Sequence, residues 1–520
     1  MRNIYEPARH VNSIFTLNGC CVSQDGAFRM VGAGVPESRR FALDVSMLFI
    51  ASIASMLVGF VIVVVMGRYL GPDDLGLYRM TSTVYGIIML GASMGLPAAV
   101  TKYTAEQGAD RGAMSRSVSA GILLSLAVGI CLTLLMAVFP ELVSSPFNMP
   151  GLAGLLRLLS PIYPFALVGG VLLGLFNGIR KMKYYALSVM IQSGTMVVVT
   201  LGLIVAGAGV AGAVIGIASS WVASSLYLLL MSRQFFSFTL ECFVPAAKNL
   251  MRFGFQMLTA GAINDINNEL DTLLIGFFLT STDVGLYAVA IMVSRFFGLI
   301  PLSVQKITYA ATSSHWQENN HAALHTMIDK SMKYCSMILI LGGLCVAFFA
   351  HPIVCGLFGD EFQAAILPMQ ILLTGMVIRG GVETSVGGSI AAIGRPDLVM
   401  GVSAVMLVVN GSLNLILIPQ YGILGAALAT FVSLVGGSAL YVRLLVKYLS
   451  FKVDYGWYGR IYGLAFMGVI LYVAGARIAD ATLLGVFILL GFAIAIYGLL
   501  LSNEDKNILK DLIYSFVSGR

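Results

Sequence analysis

Apolar residues run along this chain in long unbroken stretches and not in the two-residue alternation of strands. Roughly fourteen such stretches follow one another, each close to the ~20 residues that carry a helix across ~30 Å of hydrocarbon. They fall near 42–67, 76–100, 118–139, 155–177, 184–206, 210–231, 251–279, 284–308, 333–354, 364–390, 397–418, 422–446, 459–477 and 481–501. A helix satisfies its own backbone groups in lipid, which an open sheet cannot do. The pattern predicts an all-α polytopic membrane protein. One stretch breaks it. NDINNELD, residues 264–271, places three carboxylates and three amides inside the seventh span.

Composition supports the membrane reading. Of 520 residues, 58% are hydrophobic and 11% charged, with a mean hydropathy of +0.90. Soluble domains are about a quarter charged. The seven cysteines are scattered with no CxxC, which speaks against a disulfide framework or a zinc site. The first forty residues have no apolar leader core, so no cleavable signal is expected, and Met30 is an alternative natural start. Arg2, Arg9, Arg29, Arg39 and Arg40 make residues 1–41 a basic tail. Alternate loops are basic too, as at Lys102, Arg111 and Arg116, at Arg180, Lys181 and Lys183, and at Arg443, Lys447 and Lys452. The opposite side holds only Arg68, Arg79, Arg157 and Arg477, near span ends. Basic loops stay in the cytoplasm, so both termini are expected there, in a cell membrane. The net charge of +6 is this bias and not a nucleic-acid footprint.

The chain repeats. GRYLGPDDLGLY from Gly67 is echoed by GFFLTSTDVGLY from Gly276, and GVAGA from Gly209 by GILGA from Gly422. The offsets are 209 and 213 residues, so two features agree on one period. Six spans per repeat predict two bundles, 42–231 and 251–447, with a linker at 232–250. Two further spans and a tail fill 448–520. Parallel repeats of this kind are related by an axis along the membrane normal and enclose a cleft.

On a helical wheel Asn264, Asn267, Asn268 and Asp271 share one face, which Asp265 and Glu269 extend, while Ile266, Leu270 and Leu273 lie opposite. A charge at mid-membrane costs from ~3 to above 10 kcal/mol, so this face is expected to line a wet cavity. Arg295 lies in the eighth span and Arg379 and Glu383 in the tenth, at a spacing that allows an i,i+4 pair. A guanidinium fork matches phosphate oxygens, which points to an anionic substrate group. The alternative is that these charges pair with one another and only hold helices together. GAGVAG from Gly207 lacks the strand and acidic residue of a dinucleotide site and reads as a turn. His321 and His325, with His315 nearby, read as a solvated helix and not a metal site.

GRYLGPDDLGLY, LDTLLIGFFLTSTDVGLYAVA from Leu270 and NGSLNLILIPQYGILGAALAT from Asn410 together resemble the polysaccharide-lipid flippases of the multidrug/oligosaccharidyl-lipid/polysaccharide exporter superfamily. The resemblance covers about 42–501; the polar NDINNE and the long tail depart from it. It implies a two-lobed bundle with a central cavity that moves a polyprenyl-phosphate- or diphosphate-linked oligosaccharide from the inner to the outer leaflet. No bond is made or broken, so no enzyme activity and no cofactor are expected. On that reading Arg295 and Arg379 contact phosphate, with Glu383 beside them, and Asn264, Asn267 and Asn268 hydrogen-bond sugar. Asp265, Glu269 and Asp271 are the candidates for a coupling proton or sodium ion. Glycosyltransferases of the same pathway are the expected protein partners. Two rivals stand beside it. One is a cation-coupled multidrug exporter of the same superfamily. The other is a membrane glycosyltransferase or polymerase, disfavoured because the longest outer loop, 140–154, holds a single carboxylate, Glu141.

Overall fold

The computed structural model describes residues 37–108, 110–475, 480–501, 503 and 505–507. The calls on the N-terminal tail to residue 36 and on the last residues of the chain lie outside them. Among the described residues there is no strand. The first half runs α1 (Glu37–Ala92), α2 (Leu96–Glu106), α3 (Arg111–Val138), α4 (Glu141–Ser144), α5 (Leu152–Leu159), α6 (Tyr163–Gly178), α7 (Met182–Val205) and α8 (Gly209–Ser232). The second runs α9 (Phe243–Phe278), α10 (Ser281–Arg295), α11 (Leu299–Gln317), α12 (His321–Phe348), α13 (Ala350–Phe358), α14 (Ile366–Val382), α15 (Gly387–Ala392), α16 (Pro396–Tyr421) and α17 (Ile423–Leu449). α18 (Tyr455–Gly475) and α19 (Ala481–Ala495) complete the chain. Contacts gather Ser46–Arg520 into one compact unit.

Twelve stretches among the described residues are helical, long and apolar enough to cross a membrane. The twelve and the predicted fourteen differ by two. Predicted spans one and two are counted together as α1, whose backbone leaves the helical region at Gly71 (φ 82°) before Pro72 restarts it, so the predicted break between them is present. Proline suits the first position of a helix, where its missing N–H is no loss. The seventh, α9, falls outside the twelve, and its middle is the polar NDINNELD stretch.

α9 also begins earlier than predicted. Its 36 residues extend ~54 Å at 1.5 Å each, well beyond the hydrocarbon thickness. The cause is an apolar stripe. Phe243, Ala246, Leu250 and Phe253 pack against Leu96, Val100, Val118 and Leu172 of the first half. The non-helical connection is therefore 233–242, fastened to α3 where Ser115 and Ser119 accept from the Ser237 and Thr239 amides, both at 3.1 Å.

Where the repeats meet, they meet reciprocally. A methyl on Gly76 would overlap the Ser281 carbonyl oxygen, and one on Gly285 would overlap that of Pro72. Pro72 and Ser281 are repeat equivalents, as are Gly76 and Gly285. A methyl on Gly67 would likewise meet Phe358, and one on its equivalent Gly276 would meet Met80 first and then Met149; 149 and 358 differ by the same 209. Residue i meeting j′ while j meets i′ is the signature of a two-fold relation. Small residues permit such backbone approach in lipid.

α18 and α19 pack on α12 through Trp457, Ile461 and Phe492. Their other sides carry exposed Phe466 and Phe487, as lipid-facing helices do.

Candidate functional site

Both intramembrane arginines occupy the last turn of a helix that breaks. Arg295 ends α10, and a 3-10 turn, Phe296–Gly298, follows before α11. Arg379 lies in the last turn of α14, before Glu383 and the 3-10 turn Thr384–Val386. Gly298 and Pro301 weaken the first helix at its break, Gly380 and Gly381 the second. A cation in a last turn is favoured by the helix dipole, which helps hold each guanidinium away from bulk water.

These arginines converge. Asn267, Asn268, Asp271, Arg295 and Arg379 line one small polar pocket of about 30 Å³ with Asn410. That volume suits a water or a bare ion, not a sugar. Arg295 also lines a second cavity of about 380 Å³ between α1 and α10, with Arg79, Tyr78 and Ser82 among its polar lining and Met56, Phe60 and Val63 among its apolar lining. Its Nη2 donates to the Asn268 carbonyl at 2.7 Å, and it makes no ion pair among the described residues.

Asp271 is the most enclosed carboxylate here, 2% exposed. Its Oδ1 accepts from Asn410 Nδ2 and Asn414 Nδ2, each at 2.8 Å. Its Oδ2 accepts from Tyr287 Oη at 2.9 Å and Thr430 Oγ1 at 2.6 Å. Four neutral donors from three helices thus hold one charge without a counter-ion in contact, while Asn414 Oδ1 is buried and unpartnered. A carboxylate and a spare amide oxygen together form an oxygen-rich cluster that suits a hard monovalent cation or a proton.

The remaining predicted residues divide. Glu269 turns away to Arg79, at 2.7 Å, and accepts from Thr83 Oγ1 on the same oxygen, also at 2.7 Å. Arg379 and Glu383 form the i,i+4 pair their spacing allows, at 3.2 Å, with Glu383 Oε2 buried and unpartnered. Asn264 and Asp265 are exposed and line neither cavity, so the structure does not bring them to the others. Sequence reasoning missed Arg79, which was placed near an outer span end. The signal was present in YRMTST, an arginine followed by three hydroxyls inside an apolar window. It also missed Asn410, Asn414 and Thr430. Two amides one turn apart in an apolar span were the clue. Among the described residues no cluster suits a metal ion, and His325 Nε2 bonds the Leu449 carbonyl at 2.7 Å.

The family described as polysaccharide biosynthesis protein matches residues 41–312, more than half of this chain. The chain belongs to that family. Within the reach of the family resemblance, it is 26% identical over 461 residues to the probable low-salt glycan biosynthesis flippase Agl15 of Haloferax volcanii, covering 86% of this chain and 92% of that protein. It is 29% identical over 180 residues to the probable flippase AglR of the same organism, covering 34% and 38%. Its fold is like that of the lipid II flippase MurJ in an inward closed conformation, with a TM-score of 0.71 at 17% identity, covering 86% and 98%. An inward-facing multidrug resistance transporter of the MATE family aligns with a TM-score of 0.64 at 16% identity, covering 76% and 95%. The polysaccharide biosynthesis family thus has here a multi-pass helical member with a MurJ- and MATE-like fold.

Proposed function

We propose that this protein carries a polyprenyl-phosphate- or diphosphate-linked oligosaccharide from the inner to the outer leaflet of the cell membrane by alternating access, for surface polysaccharide or glycan assembly. One observation carries the reading. Arg295 is a guanidinium inside the membrane, facing two cavities, with no carboxylate in ion-pair contact among the described residues. A guanidinium held there without a contact ion pair is costly, and an incoming anion relieves it. The match to the probable low-salt glycan biosynthesis flippase Agl15 of Haloferax volcanii supports the same substrate class.

In this reading the bundles are 42–231 and 251–447, both termini are cytoplasmic, and the basic loops support that orientation. The barrier to flipping is desolvation of sugar and phosphate, and a polar cationic cleft lowers it while the lipid tail stays in the bilayer. Arg295 and Arg379 neutralise phosphate. Asn267 and Asn268 offer hydrogen bonds to sugar hydroxyls once their small pocket widens as the bundles part. Asp271, with Asn410, Asn414 and Thr430, takes the coupling proton or sodium ion. Glycosyltransferases supply the substrate on the inner face. The multidrug reading is weaker because a cationic drug would meet Arg79 and Arg295 in the larger cavity.

The test is glycan assembly in a host stripped of its own flippase. Arg295→Ala and Arg379→Ala should each abolish assembly at normal protein levels. Assembly retained in both removes the phosphate contact and the reading with it.

A further inference from the structure

We propose that Arg79 and Glu269 form a latch which the phosphate of the substrate releases by taking Arg79 from Glu269. The inference rests on the reading above, that the larger cavity receives a phosphate group. Arg79 follows the Gly71 kink of α1, in the first repeat, and Glu269 lies on α9, in the second. The pair spans 190 positions of sequence and ties the two repeats together at 2.7 Å. Thr83, one turn beyond Arg79, donates to the same Glu269 oxygen, so two groups of α1 grip one carboxylate.

The Arg79 fork is only partly used. Its Nε is buried without a partner, and the residue lines the cavity of about 380 Å³ that Arg295 also lines. Glu269 therefore occupies one of the two guanidiniums that line that cavity. A diphosphate offers the same planar pairing of oxygens as a carboxylate and carries more charge, so it is the stronger claimant. Both side chains of the pair are 23% exposed. Partly solvated ion pairs hold weakly, and this makes the exchange cheap enough to occur on binding. Once Arg79 turns to phosphate, the charged tie between α1 and α9 is lost, and one of the contacts that hold the repeats together is gone. A ligand moves a conformational equilibrium only through differential contacts, and this exchange supplies one.

A purely structural pair predicts that removing either partner acts in the same direction. The latch predicts opposite signs. The probe is geranylgeranyl diphosphate, titrated calorimetrically against the purified full chain in lipid nanodiscs, with geranylgeraniol as the uncharged control. Glu269→Gln should tighten diphosphate binding by about threefold, the worth of a partly exposed ion pair. Thr83→Val, which leaves the pair in place but loosens its grip, should act in the same direction and less. Arg79→Ala should weaken binding by about tenfold. Geranylgeraniol binding should respond to none of them. If wild type does not distinguish diphosphate from alcohol, the phosphate reading itself falls and takes the latch with it. If wild type does distinguish them, yet neither Glu269→Gln nor Thr83→Val tightens binding, the latch alone is overturned.

Discussion

Asp271 and Arg295 show how far residue identity reached and where it stopped. Both were marked from sequence because a charge inside an apolar run needs a reason. Their partners were not legible, since Asn410, Asn414 and Thr430 lie 139, 143 and 159 positions away and only the fold brings them to one carboxylate. The helical wheel put Asn264 on the same face as Asp271, yet the pocket closes around Asn267 and Asn268 about one turn further along α9. A wheel assigns direction but not depth. Asp271→Asn would set an amide N–H against donors that now point at an oxygen. We expect a loss of about 2–4 kcal/mol, read as a lower melting temperature of the purified protein, since a buried donor would be left unsatisfied. Unchanged melting would mean that the cluster does not hold α9, α10, α16 and α17 together.

The helices themselves follow from apolar length, but their ends and junctions answer to geometry that length does not contain. The predicted boundary between the first two spans falls inside α1 at Gly71, whose φ of 82° leaves the helical region, and Pro72 reopens the helix at once. α9 starts at Phe243 because four apolar side chains find a surface on the first repeat. The Gly76–Gly285 contact makes a test at this scale. Alanine at either position drives a methyl into a carbonyl of the other repeat, and overpacking typically costs about 1–3 kcal/mol. Because the contact is reciprocal, Gly76→Ala and Gly285→Ala should lower the melting temperature by similar amounts; a large asymmetry would contradict the two-fold relation. At the start of α18, outside the spans, the Trp457 amide and then the Lys333 ammonium hold the Asp454 carboxyl below its ordinary value. Its stabilising effect is therefore complete above about pH 4 and fades as pH falls through the lowered folded value. Asp454→Asn should lower stability at neutral pH and shrink the further loss on acidification, seen in melting curves from pH 7 to pH 3.

For the molecule as a whole, sequence gave the fold class through continuous apolar runs and the internal repeat through two agreeing offsets. It could not show that the repeats touch through backbone at Gly76 and Gly285, or that a charged pair bridges α1 and α9. Those contacts, with the apolar stripe of α9 on the first half, tie the two halves together beside cavities lined by arginine. Arg295, which makes no ion pair among the described residues, faces two of these cavities. The most direct measurement is leaflet transfer of a fluorescent polyprenyl-diphosphate-linked sugar in liposomes holding the purified protein, scored by the fraction quenched by a membrane-impermeant reductant. Wild type should move the lipid between leaflets, and Arg295→Ala should slow the transfer at least about tenfold, as loss of a charge-assisted contact implies. Transfer at the wild-type rate by Arg295→Ala, or none by wild type above protein-free liposomes, would contradict the account.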